Sequence, residues 1–159
     1  MKVIWAPWRI EYIAGEKESG CIFCNIPPEN KDKKNLILYR GDTCFIILNR
    51  FPYTNGHLMA VPYKHTNELN DLEMNERAEL FDLVIKCKNI LGVIKPTGFN
   101  IGMNLGRAAG AGIDDHLHFH IVPRWDGDNN FMPVLGNIKI MPEYLEDTYD
   151  KLKEVLESK

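Results

Sequence analysis

The segment His116-Leu117-His118-Phe119-His120-Ile121-Val122 puts a histidine at every second position and an apolar residue in each gap. The chain has five histidines in all. Counting placements gives a chance H-x-H-x-H a probability of roughly five in a thousand, so coincidence is a poor account of it. A period of two is the signature of a strand, which sends the imidazoles to one face and Leu117, Phe119 and Ile121 into a core. Same-face neighbours on a strand lie ~7 Å apart and the outer pair ~13 Å, so the row does not converge on one metal ion. It serves more than one centre, or a ligand that runs along the strand. Just upstream, Gly106-Arg107-Ala108-Ala109-Gly110-Ala111-Gly112 is too glycine-rich for a helix or sheet. It reads as a loop whose backbone N–H groups can approach an anion, with Asn104 at its entrance. A phosphate chain meets both requirements. A neutral histidine attacks phosphorus when its other ring nitrogen is held by an acceptor, and His118, with an imidazole on either side, is the candidate nucleophile.

The remaining sequence supplies a frame. Residues 36–39 and 44–48 are β-rich runs separated by Arg40-Gly41-Asp42-Thr43, a hairpin with its turn at Gly41. The cluster Pro52-Tyr53-Thr54-Asn55-Gly56 turns the chain into a strand over 57–61, closed by Pro62. From 75 to 95, Ala78, Phe81, Val84 or Ile85, Lys88 and Leu91 follow helical spacing, with acids early and bases late. Residues 99–104 read as a strand, the triad strand ends at Pro123, and 142–156 read as a C-terminal helix with Pro142 at its start. The expected fold is α+β: about five antiparallel strands with one long helix and a C-terminal helix on one face. One domain over 1–159 is expected, with a core at 20–125, an N-terminal arm at 1–19 and an extension at 126–159. At 159 residues and 45% hydrophobic content, such a core needs neither disulfide nor metal.

Nineteen basic and 22 acidic residues give a net charge of −3, which disfavours nucleic acid as a partner. No apolar run approaches the ~18 residues of a membrane helix, and MKVIWAPWRIEY lacks a signal-like stretch, so a cytoplasmic location and no membrane partner are expected. Reduced thiols are then the expectation for Cys21, Cys24, Cys44 and Cys87, the last two as core residues. The pair in Cys21-Ile22-Phe23-Cys24 is half of a zinc site, a redox pair or a coincidence. A redox pair wants a helix N-terminus, which Asn25-Ile26-Pro27-Pro28 argues against. Residues 27–35 read as a charged surface loop.

HLHFHIV matches the pattern H-φ-H-φ-H-φ-φ, and the chain resembles the histidine triad superfamily of nucleotidyl hydrolases and transferases. The likeness runs through Asn49-Arg50-Phe51-Pro52, Gly56-His57-Leu58, Val61-Pro62, His65 and Asn104-Leu105-Gly106. Trp5-Ala6-Pro7-Trp8-Arg9 and Pro123-Arg124-Trp125 are similar to the bacterial branch of diadenosine tetraphosphate phosphorylases and hydrolases. The resemblance implies that His118 forms a covalent nucleotidyl intermediate, and that His120 and His57 hold phosphate oxygens and help the leaving group. It implies that Asn49 contacts the ribose, that Ile22, Phe23, Ile26 and Ile47 line the base pocket, and that Asn104, Gly110 and Gly112 meet phosphate. It also implies a structural zinc on Cys21, Cys24, His65 and His116, and a homodimer. Dinucleoside polyphosphate cleavage is the leading activity; nucleoside phosphoramidate cleavage and a nucleotide-binding adaptor are the alternatives. One departure stands out: relatives carry Gln or Ser shortly before the triad, where this chain has Gly110-Ala111-Gly112-Ile113, so the backbone must serve as the phosphate donor.

Overall fold

The computed structural model describes residues 20–128 and 141–158. The expectations for the arm at 1–19, including Trp5 to Arg9, and for most of the stretch from 126 to 141 lie outside the described residues.

Two runs without a polar side chain, Cys44–Leu48 (β2) and Leu58–Pro62 (β3), are buried at every position. Such runs suit central strands covered on both faces. They sit inside a five-stranded sheet that also contains Ile37–Arg40 (β1), Gly98–Gly102 (β4) and Phe119–Arg124 (β5), in the order β1-β2-β3-β5-β4. Every pairing is antiparallel.

The hairpin falls where its turn residues put it, but Gly41 is required for an unexpected reason. Its φ is not positive; a Cβ there would lie 2.1 Å from Glu79 Oε1. Glu79 reaches from the long helix Met74–Ile90 (α3) and accepts the backbone N–H of Asp42 at 2.8 Å, that of Thr43 at 2.6 Å and the Thr43 hydroxyl. These bonds to the ionised form hold its carboxyl below the usual range against the opposing effect of burial.

α3 starts at a capping box, with Glu76 Oε2 accepting the Glu73 N–H at 2.7 Å. It ends at Ile90 and continues as a 3-10 turn over Leu91–Ile94, so the helix expected over 75–95 is shorter. Its inward face also differs. Leu80, Leu83, Val84, Cys87 and Ile90 are buried, whereas Phe81 and Ile85 are 59% and 45% exposed. Both sets fit a period of 3.6, so periodicity alone does not choose between two apolar stripes; packing on the sheet does.

Further expectations need correction. A turn of helix, Ile22–Asn25 (α1), does begin inside the cysteine pair, because four residues fit before Pro27, which opens a 3-10 turn at its preferred first position. Residues 27–35 accordingly form not an open loop but that turn plus Asp32–Asn35 (α2). The triad strand also begins later and runs further than 116–122. Pro123 lies within β5, paired with Phe99, and is tolerated because β3 stops pairing at Ile121 and leaves that edge without a ladder.

The C-terminal helix Leu145–Glu157 (α4) starts after Tyr144, so Pro142 precedes it rather than opening it. α4 covers the β1 edge: the Tyr149 hydroxyl donates to Ile37 O at 2.9 Å and Lys153 Nζ to Leu38 O at 3.0 Å. The buried Thr148 hydroxyl lies 3.0 Å from Asn55 Oδ1 and 2.7 Å from Glu143 Oε2, tying α4 to the turn before β3.

Candidate active site and metal centre

Backbone groups fix the tautomers of four imidazoles. An N–H can only donate, so the Tyr53 N–H, 3.0 Å from His57 Nδ1, makes that nitrogen an acceptor and puts the proton of neutral His57 on Nε2. His57 Nε2 lies 2.9 Å from His120 Nδ1, which must accept in turn, leaving His120 with its proton on Nε2. A carbonyl can only accept, so the 2.8 Å contact of His118 Nδ1 with His116 O puts the proton of His118 on Nδ1 and leaves Nε2 as a lone pair. By the same logic His116 Nε2–H donates to Pro62 O at 2.9 Å, and its Nδ1 is bare. The result is a bare Nε2 at His118 and an N–H donor at His120, with ring centroids 4.7 Å apart.

That separation is shorter than strand spacing implies, because residues 116–118 precede β5 and the rings lean together. The Phe23 ring packs 5.1 Å from His118 and 5.4 Å from His116, because α1 delivers it beside both. Burial pushes the pKa values of His118 and His116 down, and burial with the neighbouring His118 takes His120 down to about 4. All three rings are therefore neutral at pH 7.

The other expected site residues are distributed unevenly. Asn49 Nδ2 lies 3.3 Å from His57 Nδ1 and Asn49 Oδ1 accepts the Phe51 N–H, so Asn49 braces the turn before β3. Of the four apolar residues expected around a base, Phe23 and Ile47 are buried, Ile26 is half-buried against the core and Ile22 is 42% exposed. Asn104 Nδ2 spans the glycine loop to Gly110 O at 3.5 Å; Gly110 is left-handed, at φ 85°, and Gly112 is not. Tyr53 was not legible in the sequence as a site residue. Its ring lies 4.6 Å from His57 and 5.5 Å from His120, and a lone aromatic in a turn carries no pattern that announces this.

Cys21, Cys24, His65 and His116 bring one donor atom each within 4.8 Å of all the others. Cys21 Sγ lies 3.2 Å and His65 Nδ1 3.3 Å from His116 Nδ1, and Cys24 Sγ lies 3.4 Å from His65 Nδ1. Two thiols and two imidazoles whose Nδ1 atoms face one point are the donor chemistry of a closed tetrahedral zinc site. Burial and the adjacent Cys21 push the Cys24 thiol up to about 11, so Cys24 keeps its proton until a cation displaces it. These four residues use one end of the histidine row and leave His118 and His120 outside the cluster.

Residues 30–127 match the HIT domain model. The chain belongs to the histidine triad family. It is 39% identical over 155 residues to an AP-4-A phosphorylase of Mycobacterium tuberculosis, covering 91% of this chain and 79% of that protein. It is 31% identical over 105 residues to an adenosine 5'-monophosphoramidase of Schizosaccharomyces pombe, covering 66% and 74%. Among solved structures, a zinc-bound histidine triad family protein from Mycobacterium smegmatis superposes with a TM-score of 0.70 at 26% identity, covering 87% and 94%. The chain is an enzyme of this family, acting on nucleotides as a hydrolase or transferase.

Proposed function

We propose that the chain cleaves the α-phosphate linkage of a dinucleoside polyphosphate such as diadenosine tetraphosphate. The observation that carries this reading is the tautomer of His118: Nδ1–H on His116 O, Nε2 free, and the Nε2–H of His120 beside it. His118 Nε2 attacks the α-phosphorus, the bond from phosphorus to the bridging oxygen breaks, and a nucleotidyl-His118 forms. The imidazolium so created keeps its Nδ1–H on the His116 carbonyl. The His120 Nε2–H meets the leaving oxygen, and Asn104 with the loop backbone at Gly110 and Gly112 meets the non-bridging oxygens. In the second step an acceptor oxygen attacks phosphorus and the P–N bond breaks, regenerating His118. The adenosine of the transferred nucleotide lies against Ile22, Ile26 and Ile47 with its ribose at Asn49, and Phe23 closes the pocket floor.

Inorganic phosphate as acceptor is supported by the 39% identity to a phosphorylase. Product analysis with diadenosine tetraphosphate tests it: ADP with ATP, formed only when phosphate is added, is expected, and AMP with ATP in the absence of phosphate marks a hydrolase instead. Cleavage of a P–N bond is the second reading, favoured by the likeness to a phosphoramidase.

Cys21, Cys24, His65 and His116 hold zinc, which when bound pins α1 to the segment before His118 and supplies no open coordination position for chemistry. The enzyme works as a homodimer. β4 forms an outer edge of the sheet, and Ile101 on it, like Phe81 and Ile85 on α3, presents apolar surface for a second copy. A cytoplasmic setting suits four cysteines of which none is in a disulfide. No described helix is long and apolar enough to cross a membrane.

A further inference from the structure

The face of the sheet that carries His120 continues past it. His120, Val122 and Arg124 alternate onto one side of β5, and the register sets Gly102 beside His120, Asn100 beside Val122 and Gly98 beside Arg124. Neither glycine has a positive φ, and a Cβ built on either meets no heavy atom within 4 Å, so the backbone does not demand glycine and the space above it is open. The result is a groove of about 460 Å³ lined by His120, Val122 and Arg124 of β5, by Gly102 and Asn100 of β4, and by the turn residues Tyr53 and Thr54.

Arg124 is prepared for a ligand there. Asp128 accepts from its Nε at 2.5 Å and its Nη2 at 2.8 Å, and Asn100 Oδ1 accepts from its Nη1 at 2.8 Å. Among the described residues three of the five guanidinium donors are used and two remain, on a plane fixed by a bidentate carboxylate. Because Nη1 reaches back to Asn100, the guanidinium lies over the Val122–Asn100 pair, one same-face step of ~7 Å from the His120–Gly102 pair.

We infer that this groove is the subsite for the leaving half of the substrate, and that Arg124 is a specificity-determining residue that donates to its distal phosphate. The inference rests on the proposed dinucleoside polyphosphate reading. The transferred nucleoside occupies the α1 side of His118, so the polyphosphate must leave past His120, and the groove begins there. A chain of several phosphates extends from His120 across the exposed backbone at Gly102, where no side chain repels it, to the two remaining donors of Arg124. A short leaving group ends before reaching them. The enzyme therefore distinguishes long polyphosphate leaving groups from small ones through residues that take no part in bond making.

Two variants test this, each assayed with diadenosine tetraphosphate and with adenosine phosphoramidate, which share the transferred nucleotide. Arg124→Gln removes the donors, and Asn100→Trp fills the groove from an exposed strand position. Each is expected to lower the ratio of kcat/KM for the tetraphosphate to that for the phosphoramidate about tenfold, mainly through KM for the tetraphosphate, which corresponds to about 1.4 kcal/mol. Thermal unfolding midpoints check that both variants fold. Wild-type turnover of the tetraphosphate with ratios unchanged within twofold in both variants overturns the subsite alone. A wild-type enzyme that cleaves the phosphoramidate and not the tetraphosphate overturns the substrate reading and the subsite together.

Discussion

The backbone N–H of Tyr53 holds His57 Nδ1 at 3.0 Å, and through that one bond a turn residue sets the proton on His120 two rings away. A tautomer written by backbone groups is robust, because neither donor nor acceptor can reverse its role.

Nitrogen-detected NMR of the histidine rings checks the whole assignment. His57, His116 and His120 are expected as Nε2–H tautomers and His118 as Nδ1–H at pH 7.5. An Nδ1–H form of His120 would break the relay and remove His120 as the donor to the leaving group.

Replacing the nucleophile tests the covalent step. His118→Asn is expected to lower turnover by about a thousandfold or more while leaving nucleotide affinity within about tenfold, since only an interaction formed on the reaction path is lost. Rapid quench with labelled substrate should trap an acid-labile, base-stable adduct on His118. Near-normal turnover in the variant, or label on another residue, contradicts the mechanism.

The triad, the hairpin and the cysteine pair were legible in the sequence because each is a local pattern: a period of two, a turn between β-rich runs, a fixed C-x2-C spacing; His65 came only from the family resemblance. What was not legible is set by packing over long sequence separation. Phe81 and Ile85 fit the helical period as well as Leu80 and Val84 do, and only the sheet decides between them. The Phe23 ring beside His118 and the Gly41 Cα against Glu79 depend on contacts between elements that the sequence does not juxtapose.

Gly41 and Glu79 give a stability prediction. Glu79→Gln keeps the shape but weakens bonds to two backbone donors and a hydroxyl, with an expected cost of about 1–3 kcal/mol. Gly41→Ala places a methyl in the position the carboxylate needs, and should cost as much or more in chemical denaturation. A double variant whose loss falls well short of the sum would show that both act on the same contact.

The depressed pKa of His120 makes stability depend on pH. Between its unfolded value near 6.5 and its folded value near 4, the unfolded chain binds the proton more readily than the folded one. Its contribution is therefore fully present above pH 6.5 and is lost as pH falls toward 4. Glu79 and Glu143 have folded values below 4.5 and act mainly below that pH, so the window from 6.5 to 4.5 isolates histidine. Unfolding free energy measured across it should slope less in His120→Gln than in the wild type; equal slopes refute the assignment.

The metal prediction separates folding from chemistry. His116 offers Nδ1 to the cysteine cluster while its own carbonyl holds His118 Nδ1–H, so one residue joins that cluster to His118 through its backbone. Elemental analysis should find about one zinc per chain. With the Cys24 thiol up at about 11, zinc uptake by the stripped protein at pH 7 should release protons, measurable in a weakly buffered titration. Cys24→Ser should lower the thermal midpoint more than it lowers the single-turnover rate of the chemical step, because the remaining groups still hold His118 while α1 is less firmly fastened. A zinc-free protein with four freely titratable thiols in the native state would dismiss the metal site. An unchanged midpoint with a collapsed chemical rate would instead mean that the cluster acts on the nucleophile directly.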